Sequence, residues 1–340
     1  MPQKGKIIVL RFSAMGDVAM VASVLLEFSA QNPETELIMV SREAFKPFFD
    51  DIPNLTFHAI HPKTIHKGVF GLYPLFKELF KYNPTAIADL HDNLRSRLLC
   101  AFFRVMGIKI KRINKGRAEK NALTRQHNKI IKPLKKTVDR YADVFKALGF
   151  NMQLSHQLIK NSKELSKNAS SLFSDVAVKK IGISPFAQHF YKMYPIAKME
   201  KVICALNTLN YQIFIFGGGE EEKTIAEKWE GQFVNVNNLI GKFSLTEELA
   251  IISHLNLMLS MDSSGMHIAS LMGVRVLSIW GPTHPYAGFL GYGQKLEDCI
   301  QINHPARPSS IYGNKPCLCG DEPCIDLIEP KVIIERLTHG

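Results

Sequence analysis

Asp17 is the first residue of this chain whose type and position suit it to chemistry. It ends the polar cluster Ser13–Asp17, which lies between a strand-like apolar run at Lys6–Phe12 and apolar residues at helical spacing from 18 to 26. The positive end of the following helix favours an ionised carboxylate there. Such a carboxylate accepts a proton as a general base, or it caps the helix, which is the commoner role of aspartate. The sequence leaves both roles open.

A second candidate is the segment Asp262–His267, between a predicted strand at Leu255–Ser260 and a predicted helix at His267–Met272. Its small residues let backbone N–H groups at a helix N-terminus approach a phosphate closely, which predicts a diphosphate site. A capped helix with a buried, hydrogen-bonded histidine at 267 is an equally good structural alternative.

Two further segments are weak when taken alone. Lys192 follows a predicted strand and loop at Ile181–Gln188. A lysine there can neutralise a departing diphosphate, although most single lysines are solvated surface residues. The segment Ile279–Pro285 predicts a strand that ends in a Gly-Pro turn, with the Thr283 hydroxyl and the His284 imidazole at its carboxyl end.

Alternating strands and helices position these four segments. In the first half the predicted elements are strands at Lys6–Phe12, Glu36–Val40 and Ala86–Leu90 and a helix at Arg95–Met106. In the second half they are strands at Lys180–Ser184, Tyr211–Phe216, Leu255–Ser260 and Val274–Trp280 and helices at Ala197–Leu209 and Glu220–Trp229. This order predicts an α/β protein with mostly parallel sheets covered by helices on both faces. Ligands of such sheets bind at the carboxyl ends of the strands, so two facing sheets would enclose a cleft.

The length of 340 residues predicts two domains, because single hydrophobic cores stop growing at about 250–300 residues. A stretch rich in Ser, Lys and Asn between Lys160 and Lys180 predicts the connection between them. We therefore expect an N-terminal domain at 1–160, a linker region at 161–179, a second domain at 180–325 and a C-terminal helix at 326–340.

Composition and missing motifs exclude several classes of protein. With 46% hydrophobic and 21% charged residues, the chain is too apolar to be disordered. It has no GxxxxGK[ST], HExxH or GxSxG motif, and Gly217-Gly218-Gly219 does not continue as a dinucleotide fingerprint. It also has no signal-type N-terminus and no apolar stretch of about 18 residues. We expect a cytoplasmic protein that does not span a membrane.

The formal net charge of +11 favours an anionic partner. Much of the excess lies in a basic stretch of seven cations: Lys109, Lys111, Arg112, Lys115, Arg117, Lys120 and Arg125. This stretch docks an anionic acceptor or the cytoplasmic membrane face, or it is a solubilising surface, and both alternatives stay open. No nucleic-acid partner is expected, because nucleic-acid-binding motifs are missing and no aromatic residues are interleaved with these cations.

Six cysteines in a chain of this length do not form a dense disulfide framework, and a reducing compartment fits better. Three of them, Cys317, Cys319 and Cys324, lie close together near the C-terminus, and with His304 they could ligate a metal. Their Cys-x-Cys-x4-Cys spacing lacks the paired CxxC of a zinc ribbon. Free thiols are therefore the favoured interpretation, and we expect no metal.

Six segments in order resemble the heptosyltransferases of glycosyltransferase family 9, which transfer heptose from ADP-heptose to the inner core of lipopolysaccharide. The resemblance covers nearly the whole chain. The segments are Arg11–Val18, Asp89–Ser96, Val138–Tyr141, Lys192-x-Tyr-Pro195, Asp262–His267 and Gly281-Pro282-Thr283. Tyr194 stands where the family has Trp, and Ser263-Ser264 stand where it has Thr-Gly.

The resemblance implies a GT-B architecture, with two Rossmann-like domains facing each other across a cleft, and an inverting transfer that needs no cofactor and no metal. It makes Asp17 the general base and Lys192 a catalytic residue that stabilises the leaving diphosphate. The implied donor-binding residues are Asp262, Ser263, Ser264, Gly265, His267, Gly281, Pro282 and Thr283. The implied acceptor-binding residues are Ser13, Met15, Gly16, His91, Asn93 and Arg95.

The same resemblance implies ADP-heptose or a related sugar nucleotide as donor and an anionic glycolipid as acceptor. A peripheral contact with the cytoplasmic face of the inner membrane is a further expectation. Two alternatives remain on sequence alone. The chain is a GT-B glycosyltransferase with a different sugar nucleotide or acceptor, or it is a non-catalytic protein that binds anions or nucleic acid.

Overall fold

The computed structural model of the chain describes residues 5–173 and 177–339. Gly340 of the predicted C-terminal helix and residues 174–176 of the predicted linker lie outside this range. The chain forms two compact units. The first comprises Met1–Lys115 and Lys135–Ser155, and the second comprises Gly116–Leu134 and His156–Gly340.

Up to residue 148 the chain alternates between strands and helices. In order, these are β1 (Gly5–Leu10), α1 (Met15–Gln31), β2 (Thr35–Ser41), β3 (Leu55–Ala59), α2 (Leu72–Phe80), β4 (Ala86–Asp89), α3 (Leu94–Val105), β5 (Lys109–Arg112), α4 (Arg117–Thr124) and α5 (Thr137–Leu148). All of them except α4 belong to the first unit.

The sheet of the first unit is parallel throughout, in the order β3-β2-β1-β4-β5. Its central strand β1 carries Ile7, Ile8 and Val9, all without exposed surface. Such a continuous apolar run is typical of a strand with both faces covered. Leu10, at the carboxyl end of β1, lies beside Val40 on β2 and Asp89 on β4. The strand order reverses between β1 and β4, and loops that leave a sheet at such a point form a binding crevice.

The remaining elements form the second unit. In order, these are α6 (Lys167–Ser170), β6 (Lys180–Ser184), α7 (Ile196–Thr208), β7 (Gln212–Ile215), α8 (Glu220–Gln232), β8 (Val236–Asn238), α9 (Leu245–Ser253), β9 (Leu257–Met261), α10 (Ser264–Leu271), β10 (Val276–Ile279), β11 (Cys299–Ile300), β12 (Leu318–Cys319), β13 (Glu322–Pro323) and α11 (Pro330–His339).

Six of these strands form a second parallel sheet, in the order β11-β10-β9-β6-β7-β8. Here the order reverses between β6 and β9. Ile183 and Leu259 on these two strands are fully buried in the same apolar core as Trp229 of α8 and Ile333 of α11. The short strands β12 and β13 form a separate antiparallel hairpin.

The predicted basic stretch is divided between the two units. Lys109 to Lys115 belong to the first unit, whereas α4 packs within the second. Lys120 of α4 is 7% exposed, and its ammonium lies 4.1 Å from the centre of the Phe289 ring. Leu134 donates its N–H to the carbonyl of Tyr286 at 2.9 Å. The seven cations therefore do not form one solvated surface.

Residues 156–160, which the sequence placed in the first domain, belong to the second unit. The backbone of Ile159 passes so close to Gly273 that a Cβ on this glycine would lie 2.2 Å from the Ile159 carbonyl oxygen. Asn161, in the predicted linker, donates its N–H to the Met272 carbonyl at 3.4 Å.

The predicted elements of the core are found, with shifted ends. The strand at Lys180–Ser184 has the predicted bounds, whereas α10 begins at Ser264, three residues before the prediction, because Ser263 has the extended backbone of an N-cap residue. Among the described residues, no helix combines the length and the apolar character needed to cross a bilayer.

Candidate active site

The turn between β1 and α1 holds Asp17 in an ion pair. Arg11, the residue after β1, places Nη2 2.5 Å from Oδ2 of Asp17. The N-cap residue of α1 is Ala14, and Asp17 lies one turn further in with its carboxylate on Arg11. The helix-cap interpretation of Asp17 is therefore wrong, and its side chain remains 26% exposed.

Two further contacts orient this pair. Tyr141 of α5 is fully buried and donates its hydroxyl to Oδ1 of Asp17 at 3.4 Å. Arg11 also donates Nη1 to the carbonyl of Leu90 at 2.9 Å, and Leu90 directly follows β4. The carboxylate is thus fixed from both oxygens while one side of it faces solvent.

His91 joins the turn after β4 to the turn after β1. Its Nδ1 accepts the N–H of Phe12 at 3.1 Å, so the neutral ring carries its proton on Nε2. Burial, reinforced by the charges of Arg11 and Lys115, lowers the pKa of His91 to about 3. The ring is therefore neutral near pH 7, and its Nε2 lies 3.2 Å from Nδ2 of Asn93.

Asp89, at the end of β4, holds this second turn in place. It is fully buried, and its Oδ1 accepts the N–H groups of His91 and Asp92 at 3.1 and 2.9 Å. Its Oδ2 accepts Ser96 Oγ at 3.1 Å and Arg112 Nε at 3.0 Å. Arg112 of the basic stretch therefore neutralises a buried carboxylate.

The six predicted acceptor-binding residues lie in these two turns. Ser13, Met15 and Gly16 surround the start of α1, and His91, Asn93 and Arg95 surround the start of α3. Asn93 is the N-cap residue of α3, where its side chain accepts the N–H of Ser96 at 2.8 Å. The pairing of β1 with β4 brings both groups to one edge of the sheet.

In the second unit Lys192 and Asp262 form an ion pair. The Nζ of Lys192 lies 3.0 Å from Oδ2 of Asp262, and the side chains are 14% and 8% exposed. Lys192 ends a short 3₁₀ turn after β6, and Asp262 directly follows β9. The pair therefore lies across the point where the strand order of this sheet reverses.

The stem of Lys192 lies against Gly313. A Cβ on this glycine would lie 2.1 Å from Cγ and 2.2 Å from Cδ of Lys192. Gly313 has a φ of 78° and donates its N–H to Ser310 Oγ at 2.9 Å. Only glycine leaves room for the lysine stem and adopts this backbone conformation without strain.

The N-terminus of α10 lies beside this ion pair. Its N-cap residue Ser263 makes no capping hydrogen bond with its side chain, and the first turn of α10 contains no acidic residue. Its amide groups are suited to an anion. At Gly265 a Cβ would lie 2.3 Å from Ser184 Oγ, so its small size lets α10 pack on β6, and its donor contact stays a prediction. His267 is 7% exposed, in the same helix.

Arg307 organises the turn at Gly281-Pro282-Thr283. It is 4% exposed, and it donates Nε to the Gly281 carbonyl at 2.6 Å and Nη2 to the Thr283 carbonyl at 2.9 Å. Thr283 Oγ1 is buried and has no hydrogen-bond partner among the residues that the structure describes. Next to the turn, burial lowers the pKa of His284 to about 4.

Tyr194, where the family has Trp, belongs to the core of the second unit. It is fully buried and donates its hydroxyl to the Ile328 carbonyl at 2.6 Å. Its N–H faces Met261 Sδ at 3.3 Å, directly before Asp262. Tyr194 therefore packs behind the ion pair.

The sequence favoured free thiols for the C-terminal cysteines, and this interpretation is wrong for two of the three. Cys319 and Cys324 form a disulfide, with Cα atoms 5.4 Å apart, and Cys317 is free. The three sulfur atoms lie within 4.8 Å of one another. His304 accepts the N–H of Ala306 through Nδ1 at 3.2 Å.

Sequence reasoning missed Arg11, Tyr141, Arg307 and Gly313 as parts of the two sites. Arg11 and Tyr141 lie inside the segments that carry the family resemblance, but no role was assigned to them. Arg307 and Gly313 lie in a loop without a recognisable motif. Their contacts with the turn at 281–283 and with Lys192 become visible only in the folded chain.

Two curated proteins are similar in sequence to most of this chain. Lipopolysaccharide core heptosyltransferase OpsX of Haemophilus influenzae is 27% identical over 284 residues, which cover 82% of this chain and 79% of that protein. Lipopolysaccharide heptosyltransferase 3 of Escherichia coli K12 is 22% identical over 279 residues, which cover 79% of this chain and 80% of that protein.

Solved structures match over almost the whole chain. A family 9 glycosyl transferase from Veillonella parvula has a TM-score of 0.73 at 18% identity, covering 100% of this chain and 98% of that one. Heptosyltransferase WaaC of E. coli with ADP has a TM-score of 0.69 at 16% identity, covering 98% and 99%. The expected α/β fold of the GT-B class is confirmed. The sequence model of glycosyltransferase family 9 (heptosyltransferase) matches residues 72–311, well over half of the chain, and the protein therefore belongs to this family of glycosyltransferases.

Proposed function

We propose that this enzyme transfers heptose from ADP-heptose to an inner-core acceptor of lipopolysaccharide, with inversion at the anomeric carbon. The observation that carries the proposal is the Lys192–Asp262 ion pair, which lies beside the uncapped N-terminus of α10 where strands β6 and β9 diverge. Curated relatives are named as lipopolysaccharide heptosyltransferases, and a solved relative is WaaC with ADP.

The second unit is proposed to bind the donor. Lys192 and the first amides of α10 supply positive charge to the diphosphate, and Asp262 accepts hydrogen bonds from hydroxyls of the donor sugar. Because Lys192 and Asp262 touch each other, both reach groups of one ligand that lie a few ångströms apart. Gly281, Pro282 and Thr283, held by Arg307, complete the proposed donor site.

The first unit is proposed to bind the acceptor and to supply the base. In the turn between β1 and α1, the carboxylate of Asp17 is oriented by Arg11 and Tyr141 and is partly exposed. Ser13, Met15, Gly16, His91, Asn93 and Arg95 surround it as proposed acceptor contacts. His91, neutral near pH 7, adds no charge to this proposed acceptor site.

The proposed mechanism is a single displacement. The acceptor hydroxyl attacks the anomeric carbon as the bond to the diphosphate breaks, and Asp17 takes the hydroxyl proton. Lys192 and the amides of α10 stabilise the negative charge that grows on the leaving ADP. This arrangement supplies the charge that a metal supplies in other transferases, so we propose that transfer requires no metal.

The donor is tested by thermal shift with ADP, UDP and GDP. A ligand at about 100 times its Kd stabilises the folded protein by ~2.7 kcal/mol, which raises Tm by about 5–10 °C for units of this size. We expect this shift with ADP and ADP-heptose, and a much smaller one with UDP or GDP. A preference for UDP or GDP would contradict the proposed donor.

Replacement of Asp17 by Asn tests the base. Asn keeps the shape of the side chain but cannot accept the proton, so transfer should fall by about 10²–10⁴-fold. The Tm shift caused by ADP should persist, because the proposed donor residues lie in the other unit. Product formation from ADP-heptose and heptose-deficient lipopolysaccharide is the measurement.

Asp50→Asn is the matched control for this substitution. This substitution also removes an ion pair, between Asp50 and Lys46 at 2.6 Å, but this pair is largely exposed. The transfer rate of the Asp50→Asn variant should therefore stay near that of the unchanged enzyme. Full activity of the Asp17→Asn variant would refute the assigned role.

Replacement of Gly313 by Ala tests whether the position of Lys192 matters. The added Cβ displaces the lysine stem, so ADP binding measured by calorimetry should weaken about tenfold, or ~1.4 kcal/mol. Gly107→Ala is the control, because Gly107 has a nearly identical φ of 77° and open space around its Cβ. If both variants bound ADP with the same Kd, the position of Lys192 would not matter for donor binding.

We propose that the enzyme contacts the cytoplasmic membrane face through an exposed loop of the first unit. In this loop Ile65, Val69 and Phe70 are 62%, 59% and 95% exposed. Exposed cations at Lys63 and Lys67 flank them. Apolar side chains among lysines complement an anionic bilayer, where each lysine contributes about 1 kcal/mol.

The base of this loop is anchored. His66 is 1% exposed, and its Nε2 lies 3.3 Å from Oε2 of Glu78 on α2. The backbone at His66 also passes Gly71 so closely that a Cβ on the glycine would lie 2.4 Å from the His66 carbonyl carbon. The close approach of His66 and Gly71 holds Val69 and Phe70, which lie between them, in a defined position.

Phe70→Ser should weaken binding to phosphatidylglycerol-containing vesicles about tenfold or more, because insertion of a phenylalanine side chain contributes ~1.5–3 kcal/mol. Sedimentation with vesicles measures it. Val234→Ser removes an equally exposed apolar residue, 94% exposed in the second unit, and should leave binding unchanged. If both variants bound the vesicles equally well, the membrane contact would not lie at Phe70.

A further inference from the structure

Three cysteine side chains converge next to the hairpin of β12 and β13. The sulfur atoms of Cys317, Cys319 and Cys324 lie within 4.8 Å of one another. The N–H of Cys324 donates to the carbonyl of Cys317 at 2.7 Å, which closes the segment into a tight loop. Cys317 and Cys324 are 4% and 1% exposed, and Cys319 is partly exposed. This is a preformed, mostly buried cluster of soft ligands.

Two cations interact electrostatically with this cluster. Arg307 and Lys129 both stabilise a negative charge on Cys317. Arg307 is 4% exposed, and Lys129 donates Nζ to the carbonyls of Pro305, Ala306 and Pro308 at 3.1, 2.8 and 3.0 Å. The hydrogen bonds that the structure gives for these two side chains, within the described residues, end on carbonyl and amide oxygens rather than on carboxylates.

A buried cation without a carboxylate is costly, and burial accordingly lowers the pKa of Arg307 to about 10. The disulfide form of the cluster does not offset this charge, because the sulfurs of Cys319 and Cys324 are then neutral. An anion at the three sulfurs would offset part of it.

We propose that, in the reduced protein, Cys317, Cys319 and Cys324 bind one zinc ion as thiolates, with a solvent molecule as the fourth ligand. Tetrahedral zinc with Zn–S bonds of ~2.3 Å requires sulfurs about 3.8 Å apart, which the observed cluster reaches with small movements. Three thiolates and Zn²⁺ carry one net negative charge, which offsets one of the two positive charges of Arg307 and Lys129. The partly exposed Cys319 leaves the fourth position open to solvent.

The cluster takes up zinc in two steps, reduction of the disulfide and then binding of the ion. A dithiol reduces the Cys319–Cys324 bond, giving two protein thiols while the dithiol becomes a disulfide. Zinc binding then releases one proton from each of the three thiols. The affinity should therefore rise with pH and be lost on oxidation.

This site differs from the expectation of no metal, which rested on the Cys-x-Cys-x4-Cys spacing alone. The site is structural and separate from the proposed transfer. Ile325, the residue after Cys324, packs so closely on Gly281 that a Cβ on the glycine would lie 2.8 Å from Ile325 Cβ. A metal that fixes the segment 317–324 would hold this contact and the turn at 281–283 behind it.

The test measures zinc in full-length protein purified without oxygen from cells grown with added zinc. We expect about one zinc per chain by elemental analysis in the unchanged protein, and a loss of most of it in Cys319→Ser and in Cys324→Ser. Cys204→Ser, which removes an exposed free cysteine far along the chain, should keep about one zinc. Intact mass under denaturing, non-reducing conditions reports the disulfide in the same samples.

Cobalt titration of the reduced, unchanged protein decides the case if the serine variants do not fold. Thiolate ligation gives a near-ultraviolet charge-transfer band and tetrahedral visible bands, both of which should disappear on adding zinc. Either of two results would overturn the proposal: protein that is disulfide-bonded and zinc-free when freshly isolated without oxygen, or reduced protein that gives no such bands.

Discussion

The pairing of the first strand of each sheet with the fourth is the constraint on which both candidate sites depend. In the first unit β1 pairs with β4, and in the second β6 pairs with β9. Because the strand order reverses at these pairs, the loops that leave the two strands diverge and expose a crevice. The Arg11–Asp17 and Lys192–Asp262 ion pairs lie in these loops. The positions of both candidate sites therefore follow from the topology of the sheets.

In both sites, contacts with neighbouring residues position the charged groups, in addition to burial. Asp17 is positioned by a guanidinium and a phenol, and Lys192 by a carboxylate and the space that Gly313 leaves. For Asp17 one partner, Arg11, comes from the turn after the first strand, whereas for Lys192 one partner, Asp262, comes from the turn after the fourth. The other comes from a distant part of the chain, so that the assembled unit, and not a local motif, fixes the geometry. Pre-positioned charge of this kind costs little reorganisation during a reaction.

Sequence reasoning found what local periodicity and composition encode. The strand at Lys180–Ser184 and the helix that contains Asp17 are apolar runs with clear periods. It missed β5, whose residues Lys109 to Arg112 are mostly charged, because an edge strand needs only one neighbour and tolerates polar side chains. It also missed Arg307, because the guanidinium contacts carbonyls of residues about 25 positions earlier, which no spacing rule connects.

The charged strand β5 has a consequence of another kind. Together with β3 it forms an outer boundary of the first sheet, where unpaired backbone groups would otherwise offer a template for a strand of a second molecule. Lys109, Lys111 and Arg112 place three positive charges on this four-residue border. Two copies meeting there would repel each other, so the strand whose Arg112 neutralises Asp89 inside the unit also discourages self-association through this edge.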